Sequence, residues 1–166
     1  MRTPGPSAPS APEPPPQAPP KNTGIQHILI SEILYDAVGS DEGKEFIELY
    51  NPSAADIDLK SWSLTNGSSS LASIGSKPED KTLIRSKGYF LVGLNNYSGS
   101  PVADLVRSAS LPNTSSTVPL LDVSKEVVDS VSYNNSVSPG QSYERAPIDG
   151  SQFVAQPNPT PKNSQP

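Results

Sequence analysis

The fold of this chain is decided by the stretch EFIELYNP, residues 45–52, which is followed closely by DIDLKSWSL, residues 56–64. The first is a short apolar segment that runs into an Asn-Pro turn. The second alternates in polarity and carries Trp62, the single tryptophan of the chain. Two short strands separated by such a turn are typical of a small β-sandwich.

Similar short segments recur along the chain between Gly, Asn and Pro residues. We predict strands at 25–35, 45–50, 57–65, 68–74, 82–84, 88–94, 118–123, 126–133 and 142–145. The long loop 95–113 is predicted to hold one short strand or turn near Leu105. No segment keeps a helical apolar period, and strands do not alternate with helices. The pattern predicts an all-β protein, either a sandwich or a barrel.

Composition divides the chain into three regions. Residues 1–23 consist largely of Pro, Ala, Ser and Thr, which predicts a disordered, semi-rigid linker. Residues 24–155 hold the apolar segments and are predicted to form the single β-sandwich domain. Residues 156–166 are again rich in Pro and Asn and are predicted to form an extended tail. A Pro-rich beginning without the apolar core of a signal peptide indicates a piece of a longer protein, joined to an upstream domain.

Charge and cysteine content exclude several classes of function. The net charge is −5, and the Lys and Arg residues are scattered, which disfavours nucleic acid as a partner. Cysteine is absent, so the chain has no disulfide, thiolate zinc site or cysteine nucleophile. No apolar run is long enough to insert into a membrane. The single histidine, His27, has no serine–acid constellation that the sequence links to it, and we predict neither catalytic residues, metal ligands nor a cofactor.

Several segments, in order, resemble one family. They are ISEILY (30–35), EFIELYNP (45–52), DLKSWSL (58–64), IRSKGYFLV (84–92), EVVDSVSY (126–133), GQSYER (140–145) and PTP (159–161). Together they are similar to the lamin tail domain family. Two departures concern a turn and the tail: Ser124-Lys125 stand where the family often has Gly, and Lys162 follows PTP where Gly is usual.

The resemblance implies an immunoglobulin-like antiparallel β-sandwich without catalytic apparatus of its own. Free-standing prokaryotic members of the family are typically parts of secreted or surface proteins, often beside nuclease or hydrolase modules. The chain has no coiled-coil rod, and its Pro-rich beginning fits this prokaryotic, exported type. We therefore expect an extracellular or cell-surface location in a bacterium.

Three acidic residues on predicted strands, Glu32, Glu45 and Glu48, form the one carboxylate set that could support acid–base or metal chemistry. Glutamates on sandwich strands are more often solvated or ion-paired, and that is our prediction here. From their shared place in the family pattern, we expect Arg145 to pair with Glu45 or Glu48 and to tie the two chain ends together.

Two further features have alternative interpretations. Trp62 is predicted to be a core tryptophan packed between the sheets, and an exposed sugar-stacking platform is the alternative. The loop that runs from Asp36 through Asp41 to Glu42 is rich in oxygen ligands that suit calcium, but its spacing does not fit an EF-hand. A solvated acidic loop is the preferred interpretation.

Our first functional hypothesis is a non-catalytic module that mediates interaction, adhesion or targeting for a larger exported protein, with a protein or cell-surface polymer as partner. A carbohydrate- or cell-wall-binding module is the second, and clustered exposed aromatic side chains would distinguish it. The tyrosines to inspect are Tyr35, Tyr89, Tyr97, Tyr133 and Tyr143. An accessory domain of a secreted nuclease or hydrolase is the third.

Overall fold

The structure is a computed structural model that describes residues 27–67, 69–135, 137–162 and 164. These residues form twelve strands and no helix, which confirms the predicted all-β class. The strands are β1 (Leu29–Leu34), β2 (Phe46–Tyr50), β3 (Ile57–Asp58), β4 (Ser63–Thr65), β5 (Ser70–Ser73), β6 (Leu83–Ile84), β7 (Tyr89–Gly93), β8 (Leu105–Val106), β9 (Ser116–Leu121), β10 (Val127–Tyr133), β11 (Ser142–Arg145) and β12 (Phe153–Gln156). The predicted linker 1–23 lies outside the described residues.

The strands assemble into two main sheets and one short pair. The larger sheet has six strands in the order β12-β11-β1-β2-β7-β8, and the smaller has four in the order β10-β9-β4-β5. Strands β3 and β6 form the separate pair. Among the described strands the pairs are antiparallel except β7–β8, which is parallel. This pair departs from the predicted antiparallel arrangement because the chain loops around from the end of β7 before it joins the edge of the sheet.

The centre of the six-stranded sheet follows from the side-chain alternation of β2 and β7. Ile47 and Leu49 belong to the main core, whereas Phe46 belongs to a second, smaller apolar cluster. Successive side chains of a strand point to opposite faces, so Phe46 and Glu48 lie on the outer face of the sheet. The main core lies between the two sheets, and the outer face is covered as well.

The outer-face cluster explains why the long loop after β7 folds back onto the sheet. It consists of Leu34, Phe46, Leu91, Tyr97 and Ala103. The ring of Tyr97 meets that of Phe46 edge-on, with 6.3 Å between the centroids. A six-stranded sheet that is buried on both faces can hold polar side chains away from water, provided that each finds a hydrogen-bond partner.

The predicted third strand, residues 57–65, is divided in two. Ser61 has a φ of 69°, and the Trp62 amide donates to the Leu59 carbonyl at 3.0 Å, so the chain turns between β3 and β4. Trp62 therefore lies in a turn, half-buried against the edge of the main core. Trp62 packs against the main core, as predicted, but its side chain is only half-buried.

Candidate functional site: a carboxylate ladder under the C-terminal tail

Three carboxylates lie in a row across the outer face of the six-stranded sheet. Glu32 on β1 is the register partner of Glu48 on β2, and Glu48 is the partner of Leu91 on β7. The Leu91 amide donates to Asp104 Oδ2 at 3.0 Å, so the Asp104 carboxylate, just before β8, continues the row. We call Glu32, Glu48 and Asp104 the carboxylate ladder. All three residues are buried, with 1%, 1% and 7% of their surface exposed.

The C-terminal tail crosses this row and binds it through main-chain amides. Thr160 N donates to Glu32 Oε1 at 2.9 Å, Lys162 N donates to Glu48 Oε2, and Ser164 N donates to Asp104 Oδ2 at 2.8 Å. The hydroxyls of Thr160 and Ser164 add bonds to the same carboxylates. Donors on every second residue match the two-residue period of an extended chain.

The prolines of the tail fit this arrangement. Pro159 and Pro161 have no amide hydrogen and occupy the positions next to Thr160, where no donor to the ladder is needed. Proline also restricts φ, which lowers the conformational entropy that the tail loses when it is held in one extended path. The sequence therefore places donors where the ladder has acceptors and removes a donor next to them.

Groups of the sheet satisfy the remaining acceptors of the ladder. Ser31 Oγ donates to Glu48 Oε1 at 2.6 Å, and Ser142 Oγ donates to Glu32 Oε1. Lys81 Nζ lies 3.0 Å from Asp104 Oδ1 and forms an ion pair with it. Because hydroxyl, amide and ammonium donors replace the lost water, the carboxylates can stay buried. The prediction that Glu32 and Glu48 are solvated or ion-paired is wrong, because the tail covers them and hydrogen bonds compensate their charges.

Lys162 adds a charged contact above the ladder. Its Nζ atom lies 4.5 Å from the centre of the Tyr89 ring, and the Tyr50 ring lies 4.9 Å from that of Tyr89. Burial raises the pKa of Tyr89, and the charge of Glu48 raises it further. The ammonium thus rests on an aromatic face that has a carboxylate beside it, a favourable place for a cation.

The surroundings of Glu48 raise the pKa of its carboxyl group. Burial raises the pKa of Glu48 to about 7 and the charge of Glu32 adds to the rise, although the Ser31 hydroxyl and Lys162 oppose it. The register that faces Glu32 and Glu48 across two strands explains this repulsion. The hydrogen bond from the tail amide to Glu48 offsets part of this repulsion, so that the two carboxylates can lie side by side.

Glu45, the third predicted carboxylate, is buried elsewhere. It lies just before β2, is fully inaccessible, and accepts the Leu111 amide with both oxygens at 3.3 Å. Burial raises the pKa of Glu45 to about 7 and Asp41 adds to the rise, whereas the Leu111 amide and the Asn95 side chain lower it. The structure therefore separates Glu45 from the pair Glu32 and Glu48. Its expected solvation or ion pairing is wrong, because Glu45 anchors the loop before β9 from inside.

Arg145 pairs with Asp129 and not with the predicted Glu45 or Glu48. Arg145 Nη2 lies 2.5 Å from Asp129 Oδ2, and both side chains are almost fully buried. The prediction is wrong because Arg145 points to the inner face of the sheet, whereas Glu48 points to the outer face. Its Nε atom donates to the Ile30 carbonyl at 2.7 Å, so it does tie β11 to the first strand.

The loop proposed for calcium is closed by its own hydrogen bonds. Asp41 accepts the Ala37 amide at 2.7 Å and the Asn113 side-chain amide at 2.7 Å, and Asp36 faces the same amide at 3.4 Å. Within the described part of the chain no group of three His, Asp or Glu side chains has the geometry to hold a metal ion. Calcium binding, the alternative interpretation of this loop, is not tested by these contacts.

The tyrosines proposed for sugar stacking are dispersed, and most are buried. Tyr35 stacks on Tyr133 with 3.9 Å between their centroids, and Tyr97 lies in the outer-face cluster. Tyr143 is half-buried and tilted against Phe153, with 5.3 Å between the centroids. This last pair borders a shallow cleft of about 390 Å³ that is otherwise lined mainly by serines and Gln152.

A second cleft, of about 340 Å³, lies beside the tail. It is lined by apolar groups of the outer-face cluster, by the exposed Val38, and by Pro159 and Pro161 of the tail itself. Lys44 stands at this cleft and donates to the Val38 carbonyl at 2.8 Å. The tail is thus one wall of an accessible apolar cleft as well as the ligand of the ladder.

The sequence did not single out Asp104, Thr160 or Ser164. The available signal is the alternation of prolines with non-proline residues after Gln156, which spaces amide donors two residues apart. Nothing local shows that buried carboxylates lie beneath, because Thr160 and Glu32 are 128 residues apart in the sequence.

The two sheets packed over an apolar core define the chain as an immunoglobulin-like β-sandwich. A family model described as Lamin Tail Domain matches residues 21–135, and the chain belongs to that family, as the sequence resemblance predicted. The match includes the three ladder residues and ends before the tail. None of the curated proteins compared with the chain matches it.

Proposed function

We propose that this domain is a non-catalytic interaction module of a larger exported or cell-surface protein. Its partner is a protein or a cell-surface polymer, bound on the outer face of the six-stranded sheet. The observation that supports this is the tail itself: the outer face holds an extended peptide by main-chain hydrogen bonds to buried carboxylates. Main-chain recognition of an extended segment is a common mode of peptide binding.

The hydrogen bonds of the polar groups at the site support a non-catalytic role. Glu32 and Glu48 accept hydrogen bonds from hydroxyls and from the tail, which also blocks a path for substrate. Among the described residues, no buried side-chain nitrogen or oxygen lacks a hydrogen-bond partner. General acid–base catalysis needs a carboxyl group that can reach a reacting atom, and a covered, satisfied carboxylate does not meet this requirement.

The apolar cleft beside the tail is the surface that we expect a partner to contact first. Phe46 and Leu34 form its floor, Val38 is 70% exposed at its rim, and the prolines of the tail form its wall. Apolar floors with polar rims are typical of recognition sites. The net charge of −5 makes nucleic acid a poor partner for this surface.

The proposal is tested by a binding panel with the full chain. The panel contains extracellular proteins, cell-wall polysaccharides and duplex DNA at physiological salt. We expect binding to one protein or polymer. Val38→Glu should weaken this binding by about tenfold or more. The matched control Val154→Glu, which places a charge on an exposed valine of β12, should have no effect. Binding to DNA alone, or no difference between the two variants, would contradict the proposal. Surface labelling of intact cells that express the parent protein tests the location.

A carbohydrate-binding function is the second candidate because of the cleft at Tyr143 and Phe153. Half-buried aromatic rings beside serine hydroxyls and the Gln152 amide offer stacking and hydrogen bonds, the two interactions that a sugar ring needs. The glycan part of the same panel tests it with Phe153→Ala. Loss of glycan binding in this variant, with Val38→Glu unchanged, would favour the sugar site over the outer-face cleft.

A further inference from the structure

The requirements that the carboxylate ladder places on a ligand can be stated from its contacts with the tail. Glu48 needs an amide donor. Asp104 needs an amide and a hydroxyl from the residue that lies two positions further along the bound peptide. The residue bound at Glu48 also places an ammonium group over Tyr89. These demands are met by residues 161–164, which read PKNS.

The same chain carries a second segment of this chemistry. Residues 20–23 read PKNT, which differs from PKNS only by Thr in place of Ser. Alignment of the two sequences puts Lys21 in the place of Lys162 and Thr23 in the place of Ser164. Lys21 is the only charged residue between residues 14 and 23, so the segment carries a positive charge to an acidic site.

We propose that the carboxylate ladder is a binding site for extended peptides of the pattern Pro-Lys-Asn-Ser/Thr. The tail is its resident ligand, and residues 20–23 of a second copy of this chain are the ligand that takes its place when the tail is released. The inference rests on the ladder and does not depend on the partner or location proposed above.

The N-terminal segment is the weaker of the two ligands. The position that corresponds to Thr160 is occupied by Pro19, which has no amide hydrogen for Glu32. The segment therefore fills two positions of the ladder, whereas the tail fills three. The tail has the further advantage of being tethered to its own site, which gives it a high effective concentration.

The register favours a second copy over the same chain. Leu29 pairs with Tyr50, which is two residues along β2 from Glu48, and Asp104 lies beside β7, beyond β2. From the standard spacings of strands and residues, Ile28 and Asp104 are about 17 Å apart. The segment from Thr23 to Ile28 spans at most about 17 Å when fully extended. This length is no greater than the straight-line separation, so the segment is too short to pass from the core around to the outer face. Ile28 is held in the main core, so this anchor does not move.

The first experiment releases the tail in the full chain by Lys162→Pro and Ser164→Pro, which remove two of its amide donors. A fluorescently labelled peptide of residues 18–24 is then titrated by polarisation. We expect at least about tenfold tighter binding to this variant than to the unchanged chain. The control peptide carries Lys21→Pro and should not bind. Equal binding of both peptides, or no binding to the released variant, would overturn the proposal.

The second experiment uses the unchanged chain, so that it stays informative if the variant does not fold. The peptides 18–24 and 159–166 are added at millimolar concentration to ¹⁵N-labelled protein. Both peptides should shift the amide signals of Glu48, Leu91 and Asp104, and should move the Lys162 amide signal to the position of an unbound tail. The tail peptide should produce these changes at a lower concentration than the N-terminal peptide. Signals that move only outside the outer face would contradict the site.

Sedimentation distinguishes a second copy from the same chain. The tail-released variant should associate as its concentration rises, and addition of Lys21→Pro to the same variant should return it to a monomer. A variant that remains monomeric while its Lys21 amide is protected from hydrogen exchange would show that the chain's own segment fills the ladder. That result would overturn the assignment to a second copy.

Discussion

Arg145 and Asp129 hold the two sides of one residue of the first strand. Asp129 Oδ2 accepts the Ile30 amide at 2.7 Å, while Arg145 Nε donates to the Ile30 carbonyl at 2.7 Å. The register of β1 shifts between Ile30 and Glu32. The ion pair therefore provides hydrogen-bond partners for main-chain groups of Ile30 that the neighbouring strands do not pair. It also connects β10 of the four-stranded sheet to the six-stranded sheet.

We predict that Arg145→Met lowers the free energy of unfolding by about 3 to 5 kcal/mol, because it leaves the buried Asp129 charge without its partner. Urea denaturation measures the change. The double variant Arg145→Met with Asp129→Asn should recover part of the loss, since no charge then remains buried. A single variant as stable as the unchanged chain would show that the pair has no structural role.

The buried Glu45 predicts a pH dependence of stability. Its pKa is raised from 4.5 to about 7 by burial, so between these two values the folded state holds the proton more tightly than the unfolded state. The free energy of unfolding should therefore fall as pH rises from about 5 to 8, by roughly 2 kcal/mol for this group. Glu45→Gln should flatten the slope, which denaturation at a series of pH values measures. A slope of the opposite sign would contradict a raised pKa for the buried Glu45. Because the pKa of Glu48 is also about 7, Glu48→Gln measures the share of the slope that comes from Glu48.

The tail is predicted to be held by main-chain donors more than by side chains. Thr160→Pro removes the amide donor to Glu32 and should destabilise the chain by about 1 to 2 kcal/mol, because the buried Glu32 Oε1 then keeps only the hydrogen bond from Ser142. Thr160→Ala, the matched control, removes only the 3.3 Å hydroxyl contact and should cost less than half as much. Thermal unfolding of both variants gives the comparison. Equal losses would mean that the hydroxyl, and not the amide, holds the tail.

Gly93 is predicted to be intolerant of any side chain. A Cβ atom at this position would lie 2.4 Å from Cβ of Tyr97, which packs on the outer face. Gly93→Ala should therefore displace the Tyr97 loop and cost about 1 to 3 kcal/mol. Gly39→Ala is a useful control because a Cβ there has open space, although its positive φ adds a small strain of its own. Near-ultraviolet circular dichroism should detect the moved tyrosine.

The strands that could be predicted from sequence are those whose apolar pattern matches the pleat. Residues 45–50, 88–94 and 142–145 were predicted within one or two residues of β2, β7 and β11. The break between β3 and β4 could not be predicted, because the alternation continues through Ser61 and only its left-handed backbone ends the strand. Strand β12 was not predicted, since its partner β11 and not its own pattern stabilises it.

The site was harder to predict than the fold because its contacts are non-local. Glu32 and Glu48 were recognised as a carboxylate set, but a sequence does not show whether a strand glutamate faces water or another segment. The tail that covers them lies more than 100 residues away along the chain. Each of the two carboxylates accepts a main-chain amide of the tail, and an amide has no signature in residue type. The family pattern led to the wrong partner for Arg145 because Asp129 sits on the other sheet.

The path of the tail determines how the domain would respond to mechanical force. A pull applied beyond Ser164 is met first by Asp104 at the β8 side of the sheet, then by Glu48, and last by Glu32, while β12 lies on the opposite side. The three attachments would therefore break one after another, starting from Asp104, before force acts on any strand. A short length of slack would be released at low force, and the sandwich behind it would remain intact.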